Sequence, residues 1–107
     1  MIMRPLLPAL LLALGLQQAH AQAADLKHGE TLLARHCGAC HATDRSDASA
    51  DKAAPALRSI GQRYKVESLE EALGEGFMSG HPDMPEFKFD ADDVGAIIAY
   101  LKSIQTR

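Results

Sequence analysis

No tryptophan occurs in this chain, and only 5% of its residues are aromatic. Basic residues are outnumbered: 11 Lys and Arg stand against 14 Asp and Glu, a formal charge of −3. A mildly acidic balance argues against nucleic acid and against anionic membrane surfaces as partners. There are only two cysteines, so the second C-x2-C pair that usually completes a zinc site is missing. No apolar run reaches the roughly 20 residues needed to cross a bilayer. Internal repeats, low-complexity tracts and an alternating strand pattern are also lacking, which leaves amphipathic helices as the source of a core.

What is present begins with a segment set apart from the rest. Arg4 gives a short positive start, Leu6 to Leu16 is an apolar run broken only by Pro8, and Ala19-His20-Ala21 is a small-x-small cleavage site. Residues 1–21 are therefore expected to be a cleaved Sec-type signal peptide, and residues 22–107 the mature domain. No cysteine follows the run, so no lipid anchor is expected on the new N-terminus. Loss of Arg4 with the leader would take the formal charge from −3 to −4. Gln22–Arg107 is then one small domain, near the size at which a core of side chains alone becomes marginal.

The residues around which this domain is organised are Cys37-Gly38-Ala39-Cys40-His41. Two thiols two residues apart, with an imidazole directly after the second, form the attachment signature for c-type haem. The spacing lets the thiols reach two neighbouring vinyl groups, and it holds His41 where a neutral imidazole nitrogen can ligate the iron from the proximal side. A buried haem would also supply the apolar mass that so small a domain lacks. Export suits this chemistry, which in bacteria takes place on the periplasmic side. Two alternatives stand beside it. A plain disulfide or thioredoxin-like dithiol would expect a βαβ context, and a metal site would have to use His36 and His41, which flank the thiols too closely to close a tetrahedron easily.

Further elements follow from local pattern. Asp25 is placed to N-cap a helix running to about Cys37, with Leu26, Gly29, Leu32, Leu33 and His36 on one side. A Gly inside a helix costs about 1 kcal/mol against Ala, so Gly29 is either a tolerated surface residue or the close approach of another helix. Ala42 to Ala54 reads as a solvated loop, and Pro55 suits a rigid turn presenting its carbonyl. Ser68-Leu69-Glu70-Glu71 has the form of a capping box, opening a short helix that stops at Gly74 or Gly76. Gly80-His81-Pro82-Asp83-Met84-Pro85 is a loop stiffened by two prolines. Asp90, with Asp93 three residues on, opens the last helix, whose stripe of Val94, Ile97, Ile98, Leu101 and Ile104 has Tyr100 beside it. The fold class expected is all-α.

Over residues 26–105 the chain resembles the class I cytochromes c of bacteria. Gly29, Leu33, Cys37, Cys40, His41, Pro55, Met84, Ile97, Tyr100 and Leu101 occur in the order of that family's pattern. The resemblance implies three main helices, the first and last crossing at Gly29 around one haem c bound covalently through Cys37 and Cys40. It implies that the Pro55 carbonyl accepts the Nδ1–H of His41, a bond that would fix the ring and raise its donor strength. Met84, in the run Met84-Pro85-Glu86-Phe87, is the implied sixth ligand, with Met78 and His81 as alternatives. The metal ligands that the resemblance implies are thus His41 and Met84. Without a tryptophan to bond a propionate, Tyr64, Arg58 and Arg63 are the candidates. The five lysines are scattered and form no basic docking ring of the mitochondrial kind.

The function implied is one-electron transfer without a catalytic residue. Such a protein would serve a dehydrogenase, oxidase or membrane complex of the periplasm, as a free shuttle or as a weakly bound subunit, with no transmembrane anchor once the leader is removed. The rival from another class is a haem enzyme or gas sensor with an open or displaceable sixth position, for which His81 is the one polar distal candidate.

Overall fold

In the computed structural model, residues 7–76 and 83–106 are described. They form helix α1 (Leu7–His36), 3₁₀ turns over Leu57–Gln62 and Val66–Ser68, helix α2 (Leu69–Glu75) and helix α3 (Ala91–Ile104). No β-strand occurs among the described residues, and the all-α expectation holds.

α1 begins well before Asp25. The stretch upstream is mostly Leu, Ala and Gln, strong helix formers; Pro8 falls in the first turn, where it is tolerated, and Gly15 alone is too small a cost to end the helix. Asp25 therefore lies inside the helix and caps nothing. The upstream half is helical without being packed: Leu12 is 72% exposed, and Leu14 and Leu16 are exposed as well. The folded body begins at the buried Gly29, followed by Leu32 and Leu33.

α3 is the centre of that body. Asp90 accepts a 2.8 Å hydrogen bond from the Asp93 N–H, satisfying one of the helix's orphan donors. The whole expected stripe, from Val94 to Ile104, is buried, Ile97 most deeply at 1% exposure. Leu32 and Leu33 of α1 and Leu57 and Val66 of the 3₁₀ turns close over it. Each such residue contributes about 1.5–3 kcal/mol of apolar burial.

The two long helices cross at Gly29. A Cβ built there would fall on the carbonyl oxygen of Ala96 and 2.8 Å from the Cβ of Tyr100. That crossing resolves the question the isolated helix left open. Beside it, His28 Nε2 and Asp93 Oδ1 are 2.7 Å apart, linking α1 to α3.

The expected capping box does not form. Ser68 has helical backbone angles and its side chain makes no capping bond, because the chain already turns as a 3₁₀ segment over Val66–Ser68 with Val66 drawn into the core. α2 then runs to Glu75 and stops at Gly76, whose φ of +107° is open to glycine but rarely to other residues.

Candidate functional site

The end of α1 carries the chemistry. The Cys37 N–H donates to Leu33 O at 2.8 Å, and the His41 N–H donates to Cys37 O at 2.9 Å. The chain thus winds one further turn through the motif, and residues three and four apart on such a turn share a face. Cys37, Cys40 and His41 all line one cleft. Both cysteines are free and half-buried. Burial pushes the Cys37 thiol up to about 11, the opposite of the depressed value that marks a redox-active dithiol. Among the described residues no three His, Cys, Asp or Glu side chains come together as a metal-holding group, so the zinc reading has no donor set.

His41 is oriented from behind. Its Nδ1 lies 2.7 Å from Pro55 O. A carbonyl only accepts, so Nδ1 carries the proton and Nε2 keeps its lone pair for a ligand. Pro55 is itself held in place: the Leu57 N–H two residues on donates to Ala42 O at 2.9 Å. The segment between is less solvated than its composition suggests. Ala42 and Thr43 are buried, since Asp47 accepts from the N–H groups of Thr43 and Asp44, and Ser49 Oγ accepts from that of Ala42. The Tyr100 hydroxyl donates to Thr43 O at 2.7 Å and ties this loop to α3. Burial first, and then the nearby Asp44 carboxylate, raise the Tyr100 phenol to about 12.

Across the rest of the cleft wall come Met84, Pro85 and Phe87 from the segment between α2 and α3. That segment is docked on α2: the Phe89 N–H donates to Leu73 O at 2.9 Å, and a Cβ at Gly76 would meet the Glu86 carboxylate at 2.7 Å. Phe77, Met78 and His81 lie outside the described residues, and with them the two alternative sixth ligands.

The cleft has a volume of about 240 Å³ and is partly open to solvent. Its walls are mainly apolar, and Cys37, Cys40, His41 and Met84 are among its lining residues. This donor set fits a covalently attached iron porphyrin.

Two expected site residues stand elsewhere. Tyr64 is 58% exposed and borders a shallow groove with Lys65, Glu67 and Lys102. Arg58 points at the loop instead, donating to Asp47 O at 2.7 Å and to its carboxylate at 3.3 Å. Neither lines the cleft. The reason is the 3₁₀ turn: burying Leu57 places Arg58 over the acidic loop and carries Tyr64 round to the far side. Arg63 is exposed and also absent from the cleft wall. Conversely, Asp51 and Phe87 line the cleft without having been singled out as site residues, and His36, weighed from the sequence only as a metal ligand, lines it as well.

Comparison with known proteins gives the same picture. The family described as Cytochrome c matches residues 26–105. A "Cytochrome c-552" from Bradyrhizobium diazoefficiens is 33% identical over 96 residues, which is 90% of this chain and 90% of that protein. No solved structure matches.

Proposed function

This chain belongs to the cytochrome c family, and on that premise we propose that Cys37 and Cys40 would hold a covalent haem c whose iron would be bound by His41 and Met84. Haem c supplies a ferric/ferrous couple, which makes the protein an electron carrier. The observation that carries the ligand assignment is the 2.7 Å contact of His41 Nδ1 with Pro55 O at a cleft that Met84 also lines. Held in one tautomer, His41 offers Nε2 without a rotational search. The Met84 thioether is a soft neutral donor, which favours the reduced metal and raises the potential. With His41 and Met84 both bound to it, the iron would keep no open position for a substrate, and the group would supply single-electron exchange with a docked partner.

The chain is further read as periplasmic, cut after Ala21. Exposure of Leu12, Leu14 and Leu16 supports this, because removing them takes nothing from the core. None of the described helices is long and apolar enough to cross a membrane. The partner is a dehydrogenase, oxidase or membrane complex, met as a free shuttle or as a detachable subunit through a small, short-lived contact.

Met84→Ala tests the reading. With His41 and both thioethers intact, the reduction potential should fall, and CO, excluded before, should bind. A wild type that already binds CO rapidly, with Met84→Ala indistinguishable from it, would replace the carrier with an open-site enzyme or sensor.

A further inference from the structure

His36 is the last residue of α1, directly before Cys37. The attachment chemistry asks nothing of this position, yet His36 is half-buried and lines the cleft. Its ring meets two others edge-on. The centroid of Phe87 is 5.8 Å away with 68° between planes, and that of Phe89 is 5.3 Å away at 76°. Phe87 and Phe89 are themselves stacked, 6.0 Å apart at 21°. Positive ring edges against negative faces make such contacts attractive and directional.

Phe87 and Phe89 follow Met84 by three and five residues. Past Phe89 the chain enters α3; before it, the described segment has the Phe89 N–H bond to Leu73 O as its backbone anchor. We propose that His36 is a positioning residue for the sixth ligand: inserted against Phe87 and Phe89, it clamps the Met84 segment to the end of α1. This rests on Met84 being the iron ligand. The end of α1 is a firm reference, because the Gly29 crossing and the Cys37 N–H to Leu33 O bond hold it. A thioether is a weak neutral ligand, and its occupancy follows the effective concentration at which its tether presents it. A segment pinned by two ring contacts keeps that concentration high; one released from them lets the sulfur leave and other ligands enter.

The test uses the holoprotein and three variants, His36→Ala, His36→Phe and His28→Ala. His28 links α1 to α3 away from the Met84 segment and controls for general loosening. CO should associate with ferrous His36→Ala at least fivefold faster than with wild type, and the weak Met–iron absorption at the red end of the ferric spectrum should lose intensity. His36→Phe, which keeps the ring, should restore both, and His28→Ala should change neither. Equal CO rates and equal absorption in wild type and His36→Ala would overturn the proposal. Failure of His36→Phe to restore them would overturn it too, since ring packing would not be the cause. If the wild type shows no Met–iron absorption, the Met84 assignment falls by itself. The clamp is then judged by hydrogen exchange at the Phe89 amide: faster in His36→Ala supports it, unchanged overturns it.

Discussion

Substituting Gly29 by Ala adds one methyl group and puts the helix crossing to a direct test. The new Cβ would fall on the Ala96 carbonyl oxygen, with Ala96 C and Tyr100 Cβ each 2.8 Å away. None of these atoms can leave by a rotamer change, since two are backbone and the third is fixed to it. The helices must move apart, and the burial of Leu33, Ile97, Tyr100 and Leu101 suffers with them. Overpacking of this kind costs about 1–3 kcal/mol, against which the better helix propensity of Ala returns at most about 1 kcal/mol. The net expectation is a loss of about 1–2 kcal/mol, or about 4–16 °C in melting temperature for a domain of this size. Gly29→Val, with its branched side chain, should lose more. Gly95→Ala supplies the internal control: it lies in α3 with nothing within 4 Å of its Cβ position and should gain about 0.5–1 kcal/mol. Thermal unfolding of the three holoproteins, followed by far-ultraviolet circular dichroism, reads all of this. A Gly29→Ala protein melting at or above the wild-type temperature would refute the crossing as the reason for glycine.

Replacing Cys37 and Cys40 together by Ala should give a colourless chain with little helix, because the fold loses its covalent staple and its centre; native helix content by circular dichroism would contradict this. Tyr100, raised to about 12, favours the protonated fold. Its contribution is fully present below pH 10, where both states hold the proton, and is lost as pH rises from 10 to about 12. The stability gap between wild type and Tyr100→Phe should therefore narrow across that window by up to about 2–3 kcal/mol, and a gap constant from pH 9 to 12 in urea titrations would exclude the mechanism. Asp90→Ala removes the N-cap acceptor of α3 and should cost about 1 kcal/mol, seen as a lower urea midpoint with unchanged slope.

What could be read from residues alone was whatever depends on near neighbours. Cys37, Cys40 and His41 share a face because three- and four-residue offsets do so on any helical turn. Asp90 caps α3 because its acceptor lies three residues from the donor it satisfies, and the Val94 to Ile104 stripe follows from helical period. Gly29 could be flagged, and the family resemblance paired it with the last helix, but its contact with the Ala96 carbonyl came only from the structure. Local pattern also misled where tertiary burial outbid it: drawing Val66 inward turned the Ser68 capping box into a 3₁₀ segment, and helix propensity carried α1 through Asp25. The structure alone decided the longer reaches. Arg58 turned to Asp47 and Tyr64 to the far surface, the Tyr100 hydroxyl found Thr43 O, 57 residues away, and His36 met Phe87 and Phe89 from the other end of the chain. Each of these contacts joins groups whose separation along the chain carries no period, so only the path of the folded backbone determines which of them meet.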